Sequence, residues 1–372
     1  MAKTKQKFSR DICKLNKPPA FNFPAISVII PLYNSERYIG DALDSLLAQT
    51  FQNFEVIVVD DCSTDSSVAV VESYLERFGG RLKLMRTIKN TGSGTEPRNF
   101  GLAYSRGEYV YFMDNDDAVT PSALKELYTH AKNFDADVVQ CEKYYEIPDD
   151  RWHDAAFRAQ AKPFNYLTGN KIFVTAPLIW QDNFEERLKF FSQRKLIWNY
   201  WVQLIRRNFI IENSIKAVGV IADDMIFTMC ELCSAKKYVV VPNIIYHYRQ
   251  RKDSLVHKND DVAKFLTSRA TMLAEGVRHL DDFLSGREFF QRRPDLKYLL
   301  FDTLIQDTLM YLAGIYAKVP APQLDAMLRK EFVGEDSALT SFVFSTMNVQ
   351  RLQLIMAQRR IAELEAALKA RK

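Results

Sequence analysis

A regular alternation of apolar and polar segments begins near residue 25. The run ISVIIP is short, fully apolar and β-branched, the pattern of a strand buried on both faces. SERYIGDALDSLLAQ follows, with Ile39, Leu43, Leu46 and Leu47 at helical spacing and Ser35 as the expected N-cap. A second apolar run that ends in acids, FEVIVVDD, precedes the helix SSVAVVESYLERF. The shorter strand LKLMRT leads through a Gly-rich loop, NTGSGTEP, to the helix RNFGLAYS and the strand EYVYFMD. This β-α-β-α order predicts an α/β fold, Rossmann-like, with a mostly parallel sheet flanked by helices. Ligands of such sheets bind beyond the carboxyl ends of the strands. Three of the four strands end in polar clusters, YN, DDCSTD and DNDD, and that convergence marks a candidate site.

Beyond Asp117 the helix TPSALKELYTHAKNF is expected to open on Thr120 as N-cap with Pro121 at its first position, and DADVVQCEKYYEI reads as a strand. Residues 148–195 are aromatic, charged and irregular, which suggests a lid or an acceptor-side insertion. IWNYWVQLIRRNFIIENSI and DDMIFTMCELCSA are expected to be helical, and KYVVVPNIIYHYRQR a closing β segment. Residues 261–332 read as amphipathic helices. Near the end Leu354, Ile361 and Leu368 are spaced by seven, with Ala357 and Leu364 at the other apolar position. Two heptads leave docking onto the body and homo-oligomerisation both open. The expected organisation is a basic arm (1–24), an α/β domain (25–255), a helical accessory region (256–340) and an amphipathic or coiled-coil helix (341–372).

Composition narrows the function classes. The 372 residues suffice for one large domain and an accessory region. A net charge of +4 and the lack of any RNA- or DNA-reading motif argue against a nucleic-acid partner. Five cysteines (Cys13, Cys62, Cys141, Cys230, Cys233) are spread through the chain. The CxxC at Cys230 and Cys233 has no second pair at zinc-ligand spacing, so two buried helix cysteines in a reducing compartment are expected. No secretory leader pattern and no apolar run of about 18 residues is present, which points to a cytoplasmic protein, soluble or peripheral. The basic arm, with Lys3, Lys5, Lys7, Arg10, Lys14 and Lys17, reads either as a solvated tail or as a contact with anionic lipid at the inner face of the membrane.

The chemistry centres on YFMDNDD, which sets Asp114, Asn115, Asp116 and Asp117 directly after a buried strand. Two carboxylates at i and i+2 can clamp one divalent cation that keeps room for phosphate oxygens, and Mg²⁺ and Mn²⁺ both suit such a site. Such an ion neutralises a diphosphate leaving group.

ISVIIPLYNSERYIGDALDSLLAQTFQNFEVIVVDDCSTDSS and NTGSGTEPRNFGLAYSRGEYVYFMDNDD together resemble the nucleotide-binding half of family 2 inverting glycosyltransferases of the GT-A fold, densely from residue 26 to residue 119. NTGSGTEPRN, with its Pro-Arg-Asn, is similar to the corresponding segment of transferases that decorate wall teichoic acid or build capsule and lipopolysaccharide. The resemblance implies a UDP-sugar donor and a glycan or polyol-phosphate acceptor. It implies that Pro31 and Tyr33 wall the nucleoside pocket beside Asn34, and that Asp60 or Asp61, with Asp61 marginally preferred, accepts a hydrogen bond from the base. Asn90 and Arg98 would approach the nucleotide, Arg98 with its planar fork. Asp114, with Asn115 beside it, would hold the ribose or a metal-bound water, and Asp116 would ligate the metal.

Inverting transfer needs a general base for the acceptor hydroxyl. GVIADDMIFT supplies Asp223 and Asp224 at a helix start, where acids also serve the helix dipole. The family carries its acceptor-side acid pair here, usually Glu-Asp, which implies Asp224 as the base and Asp223 toward the acceptor. Asp223 is one methylene shorter than the usual Glu. YHYRQRKDSLVHK resembles the family's diphosphate-closing loop, with Arg249, Arg251 and Ser254 as candidates and an exposed basic strand as the blander reading. Trp180, Trp198 and Trp201 are candidates to stack on sugar rings; Trp198 and Trp201, three apart on an expected helix, also suit burial.

Two other classes compete. A dinucleotide-dependent oxidoreductase would need G-x-G-x-x-G after the first strand, where PLYNSE stands instead. A non-catalytic sugar-binding or scaffold protein on the same fold would not require acids at both the metal and base positions.

Overall fold

The computed structural model of the chain describes residues 23–169, 171–219, 223–251 and 275–316, with backbone only over 308–316. The basic arm, Ser254 and the heptad residues lie outside the described residues. The chain divides into two compact units. The first comprises 1–183, 194–216 and 234–250, and the second 184–193, 217–233 and 251–372.

The first unit is built on ten strands in the order β3-β2-β1-β4-β9-β6-β10-β5, with β7 paired to β6 and β8 to β10. Its first half follows the alternation in the sequence: β1 (Ile26–Leu32), α1 (Ile39–Leu47), β2 (Phe54–Asp60), α2 (Ser67–Tyr74), β3 (Leu82–Arg86), α3 (Thr95–Tyr104) and β4 (Tyr109–Phe112). All four strands pair in parallel. β1 and β2 are buried at every position, as strands covered on both faces must be. α3 lies close on the sheet because residue 101 is glycine. A Cβ there would stand 2.4 Å from Ile29 Cγ2.

The second half mixes directions. β5 (Ala118–Val119), α4 (Ala123–Phe134), β6 (Val138–Pro148), α5 (Ala155–Gln160), β7 (Pro163–Phe164), β8 (Leu178–Gln181), β9 (Gln203–Arg206), α7 (Arg207–Glu212) and β10 (Lys237–Gln250) complete the unit. β6 and β10 pair in parallel, and β5, β7, β8 and β9 join antiparallel.

Several local expectations are corrected. Ser35 does not cap α1. The helix starts at Ile39 after a turn, and the Ser35 hydroxyl instead donates to Asn115 Oδ1 at 2.6 Å. α4 starts at Ala123 behind Ser122, because Thr120 N–H is taken by Ile245 O of β10 at 2.8 Å. α3 begins at Thr95, inside the expected loop, with Pro97 in the first turn where its missing N–H leaves no gap. IWNYWVQLIRR is not helical. It forms a 3-10 turn, Tyr200–Val202, and then β9 between β4 and β6. Trp198 and Trp201 are both buried but share no helix face. The irregular 148–195 stretch contributes α5, β7, β8 and α6 (Phe184–Ser192).

The second unit is helical where described. It holds α6, α8 (Asp223–Leu232), a helix described from residue 275 onward, and the helices Glu288–Arg292 and Pro294–Tyr316. Within it Arg187 Nε of α6 donates to Leu232 O at 2.5 Å, and Glu185 pairs with Arg293 at 2.5 Å. Gly276 lies against α8, where a Cβ would meet Ile226 Cδ1 at 2.3 Å. Cys230 and Cys233 are buried free thiols, as expected, and burial pushes the Cys233 thiol up to about 12. Among the described residues no helix is long and apolar enough to cross a membrane.

Candidate active site

The carboxyl ends of β1, β2 and β4 meet in the first unit. Pro31 stands two positions past the last β1–β4 partner, Ile29↔Phe112, so it opens no gap in that ladder. Its carbonyl accepts from Asn115 Nδ2 at 2.7 Å. Asn115 thus ties the β1 and β4 ends together, through Pro31 O and Ser35 Oγ. Asn34 has φ +46°, a left-handed conformation that Asn tolerates. Its Oδ1 accepts from Thr64 N at 2.8 Å and anchors the turn behind the exposed Tyr33.

At the end of β2 the two acids play different parts. Asp61 accepts from Thr91 N at 2.9 Å, Thr91 Oγ1 at 2.9 Å and Thr87 Oγ1 at 2.8 Å. Asn90 Nδ2 donates to Asp61 O at 2.9 Å, and Asn90 Oδ1 accepts from Gly92 N at 2.9 Å. Asp61 and Asn90 therefore staple the 87–92 loop. Asp60 accepts from Ser63 N at 3.0 Å through Oδ1, while Arg86 Nε stands 3.1 Å from its buried Oδ2. Arg86 is half exposed and free to yield; the loop that holds Asp61 is not.

α3 supplies Arg98, whose Nη2 meets Asp114 Oδ1 at 2.6 Å while its guanidinium lies 4.8 Å over the Tyr200 ring. Residue 94 is glycine where a Cβ would stand 2.6 Å from Arg98 Nη1. The planar cation is thus delivered to the acidic turn. Asp117 is fully buried. Burial, with the charges of Asp116 and Asp114 beside it, pushes its carboxyl well above the usual carboxylate range, against hydrogen bonds from Arg249 N and the Tyr246 hydroxyl.

Arg249 departs from its expected diphosphate role. Its Nε donates to Asp116 O at 2.9 Å, its two other nitrogens pair with Asp149 at 3.1 Å and with Asp41, and Trp152 covers it at 3.7 Å. Each of its three guanidinium nitrogens has a protein partner and the side chain is buried. Trp198 packs edge-on against Tyr166, with ring centroids 5.4 Å apart, and little of it is open to an acceptor. Asp223 and Asp224 lie, part-buried, in the first turn of α8, where Asp224 Oδ1 accepts from Met225 N at 2.8 Å. Arg251 also belongs to the second unit. The sequence drew attention to Asp117 without giving it a role, and it gave no signal for Tyr246, Asp41 or Trp152, which reach the turn only through tertiary packing.

The acidic turn fits a hard divalent ion. Asp114 and Asp116 offer carboxylate oxygens within three residues of one another. No group of three or more His, Cys, Asp or Glu among the described residues forms a closed cage. Mg²⁺-type sites need none, since one or two carboxylates are completed by water and substrate phosphate.

Residues 27–193 match the family model described as glycosyl transferase family 2. The chain is 29% identical over 238 residues to the uncharacterized glycosyltransferase EpsJ of Bacillus subtilis, covering 62% of this chain and 63% of EpsJ. It is 30% identical over 230 residues to poly(ribitol-phosphate) beta-N-acetylglucosaminyltransferase TarS of Staphylococcus aureus, covering 61% of this chain and 36% of TarS. It is 31% identical over 235 residues to the cholesterol galactosyltransferase of Borreliella burgdorferi, covering 62% and 61%. The matches thus span less than two thirds of these relatives' own lengths. Residues 1–349 of S. aureus TarS, solved in complex with UDP-GlcNAc, superpose with a TM-score of 0.55 at 22% identity over 90% of this chain and 91% of that one. The expected α/β GT-A fold is therefore the fold of this chain.

Proposed function

We propose that the chain is a metal-assisted, inverting glycosyltransferase that moves a sugar from a UDP-sugar to a hydroxyl of a bacterial surface glycan. The observation that carries this reading is the meeting of Asp60, Arg98 and the Asp114–Asp117 turn at the carboxyl ends of β1, β2 and β4. The named activities of the relatives and the UDP-GlcNAc held by the TarS structure support it.

Tyr33, exposed at the mouth, stacks on the base, with Pro31 behind it. Asp60 rather than Asp61 accepts from the base, because Asp61 is saturated by its loop. Arg98 approaches the nucleotide with its planar fork. Asp116 would hold Mn²⁺ or Mg²⁺, with Asp114 toward the ribose or a metal-bound water, and the ion when bound would neutralise the departing diphosphate. Arg251 and Ser254 hold its oxygens, since each guanidinium nitrogen of Arg249 already has a protein partner. Asp224 removes the acceptor proton as the hydroxyl oxygen attacks the anomeric carbon, and Asp223 orients the acceptor. The chain works on the cytoplasmic side.

The decisive experiment is UDP release from UDP-glucose, UDP-galactose and their N-acetyl forms, with Mn²⁺ and a glycan or polyol-phosphate acceptor. Asp224→Asn should reduce transfer at least about a hundredfold while UDP affinity by calorimetry stays at the parent value. Full turnover by that variant removes Asp224 as the base. No UDP release from any donor removes the enzyme reading in favour of a sugar-binding or scaffold protein.

A further inference from the structure

The turn Asp114–Asp117 places three like charges within four residues, and such a cluster repels itself apart unless something holds it. Its fastening comes from β10. The Tyr246 hydroxyl donates to Asp117 Oδ2 at 2.8 Å and accepts from Asp114 N–H at 3.3 Å, so one oxygen bridges both ends of the turn. Arg249 grips the middle: its backbone N–H donates to Asp117 Oδ1 at 2.7 Å, and its Nε donates to Asp116 O at 2.9 Å.

Both side chains are themselves fixed. The Tyr246 ring stacks on Trp201, with centroids 4.4 Å apart and planes 17° from parallel. The Arg249 guanidinium lies on Trp152 and pairs outward with Asp149 and with Asp41 of α1. None of these contacts reaches a nucleotide or an ion, yet all of them bear on where the Asp114 and Asp116 carboxylates stand.

We propose that Tyr246 and Arg249 are positioning residues that set the Asp114–Asp116 turn for its metal ion, and that the Arg249 pairs with Asp41 and Asp149 lock this setting from the far side. The inference rests on reading that turn as the metal and diphosphate site. Arg249 thereby changes from a phosphate ligand to a brace. Partners that orient ligating carboxylates tune metal affinity without touching the metal.

The test is calorimetric titration of Mn²⁺ into the full chain saturated with UDP, beside thermal unfolding of the same samples. Tyr246→Phe keeps the ring on Trp201 and removes only the hydroxyl. It is expected to weaken Mn²⁺ binding about tenfold or more, while UDP binding in EDTA is unchanged. Arg249→Lys, which keeps the charge but loses the fork, should do the same. Asp149→Asn acts far from the turn at a partly exposed carboxylate, so the fold is retained, and it should weaken Mn²⁺ about threefold. A merely structural role would lower Tm and leave the Mn²⁺ affinity of the folded fraction at the parent value; that result overturns the proposal. If Tyr246→Phe does not fold, Asp149→Asn decides in its place. A parent chain that binds no Mn²⁺ removes the metal reading and this proposal together, whereas a parent that binds with unaltered variants removes this proposal alone.

Discussion

The two ends of the parallel sheet handle buried charge in opposite ways. At the amino end, Glu55 of β2 is buried amid donors: Ser27 Oγ at 2.8 Å, Arg106 N at 2.9 Å, Lys83 Nζ at 2.8 Å and Arg106 Nη2 at 3.1 Å. Burial works against its charge, but the Lys83 and Ser27 hydrogen bonds, the Lys83 charge and the Arg106 amide outweigh it and hold the carboxyl below its ordinary value. Ser27 also takes the Gly107 N–H at 2.8 Å, closing the network. At the carboxyl end, burial and the charges of Asp116 and Asp114 push the Asp117 carboxyl up, while Arg98 pairs with Asp114. The amino end gathers donors around one carboxylate. The carboxyl end gathers carboxylates beside one another, the arrangement that shifts titration at functional sites.

This contrast makes distinct predictions. The largest concerns activity: Asp116→Asn should lower sugar transfer by about a thousandfold, measured as UDP release. It should leave Tm at or above the parent value, because one of the repelling charges is gone. A loss of stability with retained transfer would reverse the assignment of the two ends. Gly107→Ala should act only on the fold. Its Cβ would stand 2.5 Å from Ser27 N and 2.7 Å from Tyr109 O, backbone atoms that cannot swing aside. Denaturant unfolding should show a loss of about 3 kcal/mol, with transfer per folded molecule unchanged. Glu55→Gln should destabilise less, by about 2 kcal/mol at neutral pH. Since the fold holds the Glu55 carboxyl below its ordinary value, its contribution is complete above that ordinary value and is lost as pH falls through the folded one. Urea midpoints of the parent should therefore fall toward those of Glu55→Gln in acid, and parallel curves would disprove the pairing.

The parallel half was legible because β1 and β2 are closed apolar runs that need no partner to be recognised. Ile26–Leu32 and Phe54–Asp60 end at polar clusters that stand side by side at one end of the sheet. β9 was not legible. Ile197, Trp201, Leu204 and Ile205 fall at helix-compatible spacing, and only pairing with β4 and β6, from residues up to 97 positions earlier, makes the segment extended (Tyr111↔Leu204 and Tyr109↔Arg206 among its pairs). Local propensity yields to such pairing. At the site, the positions of the acids were readable but their division of labour was not. Asp60 and Asp61 are neighbours with the same chemistry, and only the 87–92 loop, which fastens on Asp61, distinguishes them. Arg249 looked like a free cation because Asp41, 208 residues away along the chain, does not announce itself as its partner.

The tie between the acidic turn and β10 also bears on the order of events during synthesis. Asp114 meets Tyr246, and Asp117 meets Arg249, each across 132 residues of chain. A growing polypeptide can assemble β1 through β4 while those partners are still unmade, since their pairing is comparatively local. The acidic turn, though already synthesised, stays without its brace until the ribosome has passed residue 249. The fixed geometry of this turn is thus among the last properties the first unit acquires.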